Sequence, residues 1–171
     1  MTRFQMTRFT AADAYRASDA WCCNCGPAAL AAIAGLTLAE VRPHVAKVGF
    51  EGKGYMGPTM MLDALNSVGV KWTAKGKGKA FPKLDWPCYG LARIQWEGPW
   101  TAPGMNAKWA YGYTHWVGAQ DSPRNDGVIC IFDINAIANG SGWCALKNWQ
   151  ATIVPAITSH YKRANGKWHI T

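Results

Sequence analysis

Between residues 25 and 35 the chain reads Cys-Gly-Pro-Ala-Ala-Leu-Ala-Ala-Ile-Ala-Gly, apolar on every side. A helix without a polar face is one buried all round. Pro27 suits the first turn, where a missing N–H costs nothing, and Gly35 suits the C-terminal end. Thr37-Leu-Ala-Glu40 is a capping box that opens a second, short helix, which Pro43 is expected to disturb. Thr59 is placed to cap a third helix, with Met60, Met61, Ala64, Leu65 and Val68 on one face and Gly69 as its stop. After Gly69 the period changes from helical to two. Residues 70–73, 89–96, 111–119, 128–135 and two runs near the C-terminus read as strands. Residues 121–127, Asp-Ser-Pro-Arg-Asn-Asp-Gly, connect two of them as a hairpin, and Asn165-Gly166 marks another hairpin turn. Helices first and a mostly antiparallel sheet after them make an α+β protein. The pattern shows no internal boundary. A single domain over residues 1–171 is expected, with 1–18 as a candidate N-terminal arm.

Composition narrows the class. The 171 residues are 49% hydrophobic and 16% charged, which excludes wholesale disorder. Ten tryptophans predict an aromatic-rich interior, because each supplies a large buried area and must place its N–H. No apolar run approaches the roughly 18 residues of a membrane span, so no membrane span is expected. A net charge of +8 admits an anionic partner, but no nucleic-acid motif accompanies it, so no specific nucleic-acid binding is expected. The stretch Lys75-Gly-Lys-Gly-Lys79 reads as a solvated loop.

The six cysteines are Cys22, Cys23, Cys25, Cys88, Cys130 and Cys144. Three crowd into four positions, no hydrophobic leader precedes them, and reduced thiols in a reducing, cytoplasmic setting are expected. Trp21-Cys-Cys-Asn-Cys25 also fits the Trp-Cys-x-x-Cys redox motif. That chemistry requires a strand–helix–strand opening, which the preceding residues do not show. Cysteines 22, 23 and 25 lack a second ligand pair at zinc spacing, so neither a metal nor a cofactor is expected.

Cys25 stands just before the apolar helix. A helix N-terminus carries unpaired N–H groups and a partial positive charge, which favour a thiolate and help to hold an oxyanion. A nucleophilic cysteine needs a base, and the base an orienting group. Of the four histidines, His115 sits in a predicted strand, Tyr-Thr-His-Trp-Val-Gly. The hairpin that follows, with Ala119 paired near Val128, brings Phe132 or Asp133 opposite His115. Cys25, His115 and Asp133 can therefore meet, with Asn135 as the alternative orienting residue.

At these residues the chain resembles a known family. Asn24-Cys25-Gly-Pro-Ala-Ala-Leu30 is similar to the nucleophile helix of papain-like cysteine peptidases, and most similar to their compact branch, which includes bacteriocin-processing peptidase domains. Thr114-His115-Trp-Val117 resembles that branch's histidine strand, and Phe132-Asp133-Ile-Asn135 its acidic strand. The resemblance implies a papain-like fold, with N-terminal helices and the nucleophile helix packed on an antiparallel sheet. It implies a thiol hydrolase, a cysteine peptidase cleaving a peptide or other amide bond with a Cys25–His115–Asp133 catalytic triad. Compact domains of this kind also occur in phage genomes, which makes a phage-encoded virion component one implied setting. The interval of 90 residues between Cys25 and His115 fits the compact branch and not the roughly 130–150 of papain itself. The family carries a glutamine oxyanion donor six residues before the nucleophile. Here Asp19 stands in its place, and Asn24 or backbone N–H groups are the substitutes. That departure motivates the alternative: an inactive papain-like module with protein partners in a larger assembly.

Overall fold

The computed structural model describes residues 7–21, 24–73, 86–122, 124, 126–161 and 163–170. Helices α1 (Ala11–Trp21), α2 (Cys25–Ala34), α3 (Leu38–Lys47), the single turn α4 (Phe50–Lys53) and α5 (Pro58–Val68) come first. A five-stranded antiparallel sheet follows, with short helical turns in its connections and a longer helix, α6 (Val154–His160), before its last strand. The strands are β1 (Tyr89–Trp96), β2 (Thr114–Asp121), β3 (Ile129–Phe132), β4 (Trp143–Ala145) and β5 (Trp168–Ile170), in the order β4-β3-β2-β1-β5. The protein is α+β, with helices packed on an antiparallel sheet. Among the described residues no single helix is long and apolar enough to cross a membrane.

The first helix is absent from the expected elements. Thr10 caps it: its Oγ accepts from the Asp13 N–H at 3.2 Å, while the Asp13 carboxylate accepts from the Thr10 N–H at 2.9 Å. Asp13 is buried, and its carboxyl is held below the ordinary value; burial opposes ionisation, but Thr10 and Arg16 outweigh it. Phe9, Ala14, Ala17 and Trp21 enter the core on its inner side. Helix α2 is buried along its length, and Gly35 ends it in the left-handed conformation. The Thr37–Glu40 capping box forms as expected. Pro43, however, does not break the helix it opens, because Leu38, Val41 and Val45 hold that helix to the core while Pro43 lies on its exposed side. Helix α5 starts one residue before the expected cap, with Gly57 as N-cap and Pro58 as its first residue, and stops at Gly69.

The expected strand over 70–73 does not form; Trp72 turns back on α5 and donates to Asn66 Oδ1 at 2.8 Å. Residues 111–113 are a 3-10 turn, and β2 starts after them. The hairpin between β2 and β3 is present, but Ala119 pairs with Ile131, three residues beyond the expected position. The Asn165-Gly166 turn joins α6 to β5, which pairs with β1, so it closes no hairpin.

The sheet has two covered faces. Alternation along β2 sends Trp116 and Gly118 toward α2 and sends Val117 and Ala119 toward a second core built from Trp96, Trp100, Trp149, Val154 and Ile157. In the loop after β1, Trp100 is buried, stacks on Tyr113 at 3.5 Å and donates to the Trp96 carbonyl; Trp109 stays exposed. Gly142 locks the β3–β4 connection. It has φ +80°, and a Cβ there would stand 2.6 Å from the Phe132 ring. Gly142→Ala is expected to cost about 2–3 kcal/mol, from left-handed strain plus overpacking, read from the urea midpoint.

Candidate active site

Cys25 is the first residue of α2 and is half-buried; Cys130 and Cys144 are half-buried free thiols and Cys88 an exposed one. The first turn explains why small residues flank it. A side chain at Gly26 would place its Cβ 2.7 Å from that of Met56, so the backbone passes against Met56 only because no Cβ is there. The Met56 carbonyl in turn accepts from the Trp116 indole at 2.7 Å. One residue thus ties the neighbour of Cys25 to the neighbour of His115.

The far end of α2 sets its direction. Ile33 packs against Gly118, where a Cβ would meet it at 3.2 Å, and its carbonyl accepts from the Tyr89 hydroxyl, whose residue pairs with Gln120. From Ile33 back to Cys25 a helix rises ~12 Å. From Gly118 back to His115 a strand covers ~10 Å. Cys25 and His115 therefore come to the same end of the sheet, Cys25 from the α2 face and His115 from the other.

On that second face His115 is 6% exposed, with its ring edge-on to Trp96 at 6.3 Å. Its Nε2 lies 3.0 Å from Asp133 Oδ1. Extended from the observed ladder, His115 falls opposite Asn135 and Asp133 opposite Val117. Asp133 is thus diagonal to His115 on the same face, within reach of a long side chain.

Asp133 is fully buried and surrounded by donors. Oδ1 accepts from the Asn135 N–H at 2.8 Å and the Asn135 amide at 2.9 Å, and Oδ2 accepts from the Trp149 indole at 2.7 Å. Its own N–H is held by the Gly142 carbonyl. Burial alone would raise the carboxyl's pKa; the facing His115, the Trp149 N–H and the Asn135 N–H outweigh it and hold it below the ordinary value. Asp133 also ends β3. Its side chain captures the Asn135 N–H and starts a 3-10 turn (Ile134–Asn139), which is why the expected strand to residue 135 stops at Phe132.

Asn135, the other expected orienting residue, gives its N–H and its amide to Asp133. It is exposed and supports Asp133 from the solvent side. Trp149 is the residue that sequence reasoning missed. It is fully buried in a π-helical turn (Trp149–Ile153), between Trp86 and Trp168. Nothing local marks it apart from the protein's other tryptophans. Of the expected oxyanion residues, Asp19 is on the exposed side of α1, and Asn24 is the N-cap of α2 with its amide donating to the Ala14 carbonyl at 3.1 Å. At the helix start Pro27 has no N–H, and that of Ala28 bonds the Asn24 carbonyl. Cys22 and Cys23 lie outside the described residues. Among the described residues no group of three or more His, Cys, Asp or Glu side chains gathers as a metal site would.

No family model matches the chain, no curated protein is similar to it, and no solved structure matches its fold. The chemistry has to be read from the residues themselves.

Proposed function

We propose that the protein is a papain-like cysteine hydrolase that cleaves an amide bond, with Cys25 as nucleophile, His115 as base and acid, and Asp133 as the group that orients His115. One observation carries the reading: a buried imidazole–carboxylate pair, 3.0 Å apart, at the end of the sheet where a cysteine opens a buried helix. With Nε2 turned to Asp133, Nδ1 is the nitrogen that this reading assigns to the thiol.

In this reading the Cys25 thiolate attacks the amide carbonyl, and the oxyanion that forms is stabilised at the positive end of α2. Protonated His115 gives its proton to the leaving amine, and an acyl-thioester remains. His115 then takes a proton from water, which attacks the thioester; the acid leaves and the thiolate is restored. Asp133 holds the ring's orientation and supports its positive charge.

The test is thiol alkylation by iodoacetamide, with the labelled site mapped by mass spectrometry, in a Cys22→Ser, Cys23→Ser background. An activated Cys25 is expected to label at pH 6 much faster than Cys88, the exposed free thiol that serves as internal control. Cys144 and Cys130 should be slowest. Burial, Asp133 and Cys130 push Cys144 up to about 11; burial and Asp126 raise Cys130. Equal labelling of Cys25 and Cys88 across the pH range would remove the hydrolase reading. It would favour the non-catalytic module, which the exposed Asp19 and the committed Asn24 amide support.

A further inference from the structure

The turn that joins α6 to β5 carries Asn165-Gly166, one of two Asn-Gly pairs in the chain; the other is Asn139-Gly140. In this dipeptide the glycine nitrogen can reach the side-chain amide carbon of asparagine, because no Cβ stands in the way. The local fold decides whether it attacks, and the two pairs differ.

Asn165, Gly166 and Lys167 are exposed, and a Cβ at Gly166 would meet no atom within 4 Å. Asn165 Oδ1 accepts from the Lys167 N–H at 2.9 Å. This bond polarises the side-chain carbonyl, which makes Cγ a better electrophile. It also closes a ring that contains both Cγ and the Gly166 nitrogen. Among the described residues no hydrogen bond engages the Gly166 N–H, so the nucleophile is open to solvent. At the other pair the Gly140 N–H donates to the Ile137 carbonyl at 3.1 Å, a bond that must break before that nitrogen can attack.

We infer that Asn165 is a site of spontaneous deamidation and that one of its products unseats β5. The Gly166 nitrogen, its proton lost to base, bonds to Cγ, and ammonia leaves; a five-membered succinimide remains. Water opens this ring at either carbonyl. One opening gives aspartate. The other gives isoaspartate, whose main chain runs through the side-chain methylene and is one carbon longer. That carbon enters where the register has least slack. The Asn165 N–H donates to the Glu97 carbonyl at 3.1 Å, and the Glu97 N–H donates to the Lys167 carbonyl at 2.9 Å, so both ends of the turn are clasped to one residue. Directly beyond, Trp168, His169 and Ile170 pair with Trp96, Gln95 and Ile94. Trp168 also packs edge-on to Trp149 at 5.5 Å, and the Trp149 indole donates to Asp133. Strand β5 is thus part of what encloses the buried pair. The inference concerns the fold and stands without the thiol chemistry.

The experiment ages the folded full chain at mildly alkaline pH, beside the same chain unfolded in guanidinium chloride, and maps both by mass spectrometry. Each event adds about 1 Da, an amide replaced by an acid, and chromatography separates the isoaspartyl peptide from the aspartyl one. In the folded chain Asn165 is expected to react about 3–10-fold faster than Asn139, the factor that one hydrogen bond is worth. In the unfolded chain the two rates should converge. The isoaspartyl protein should exchange its amide hydrogens at 168–170 faster than the parent. Asn165→Asp, which keeps both the main chain and the acceptor for Lys167, should exchange like the parent. Equal rates at the two asparagines in the folded chain, or no reaction at Asn165, would overturn the site. Unchanged exchange at 168–170 in the isoaspartyl protein would overturn its consequence. Each of these outcomes is read on the parent sequence, so a variant that fails to fold does not shield the inference.

Discussion

Asp133→Ala is expected to lower the stability at pH 7 by about 3–5 kcal/mol, the usual result of removing one partner from a buried charged pair. The magnitude follows from what is left behind. Trp149 is fully buried, so its indole N–H loses a 2.7 Å partner in a place water does not reach; a stranded donor of this kind costs about 1–3 kcal/mol. His115 loses its facing carboxylate while itself 6% exposed. The two Asn135 donors cost less, because Asn135 is exposed and can turn to solvent. Asp133→Asn should fall between the two proteins. Its one oxygen can serve Asn135 or Trp149, but its NH₂ must then face a donor.

The pH dependence gives a second readout with a definite sign. The folded carboxyl titrates below its unfolded value of about 3.9. A depressed carboxylate contributes stability that is complete above the unfolded value and is lost as pH falls through the folded one. The gap between the parent and Asp133→Asn should therefore be widest at neutral pH and constant down to about pH 5, then narrow as pH drops through and below 4. Urea unfolding at a series of pH values measures it. A gap that stays constant to pH 2, or widens in acid, would show that Asp133 does not fold as a carboxylate.

That same residue shows how far the sequence could be read. Hairpin arithmetic brought His115 and Asp133 together although the assumed register was wrong. The true pairing of Ala119 with Ile131 leaves them diagonal instead of opposite, yet on one face, because it is two residues from the register that sets Asp133 opposite His115, and an even shift keeps the face. The apolar helix behind Cys25 and its Gly35 stop were legible for an equally local reason: a run without polar residues has only the interior to go to. What failed was whatever depended on partners distant in sequence. The strand pattern through 128–135 was real up to Phe132, but Asp133 spends its carboxylate on the Asn135 N–H and turns the chain. Phe9, Ala14, Ala17 and Trp21 form a helical stripe, but small alanines among charged residues carry little contrast, so the pattern marks residues 1–18 only as a candidate N-terminal arm. Trp149 was invisible as a site residue because its role is set by the return of the chain after β4.

His115→Ala is expected to slow alkylation of Cys25 by about 100-fold at pH 6 and by no more than a few-fold at pH 9. The ceiling comes from the thiolate fraction. An ordinary thiol, with a pKa of about 8.5, is roughly 0.3% ionised at pH 6, so a thiol fully ionised by a neighbouring imidazolium can lose about 300-fold when that partner goes. At pH 9 most of an ordinary thiol is already ionised, and the partner adds little. The intrinsic nucleophilicity of a low-pKa thiolate is smaller, which trims the loss at pH 6 toward 100-fold. The helix start alone accounts for less: a charge at a helix end gains about 0.3–1 kcal/mol, a factor of two to five. A small effect at pH 6 would thus leave the dipole as the whole of the activation and remove His115 from the mechanism. Asp133→Asn should lie between, since the ring keeps a partner on one side but loses the charge that favours its protonated form. Cys25→Ala should abolish the fast-labelling phase with the fold intact, because Cys25 is half-buried at a helix start where alanine fits. Adding His115→Ala to it should change labelling no further, since a thiol and its base act as one unit.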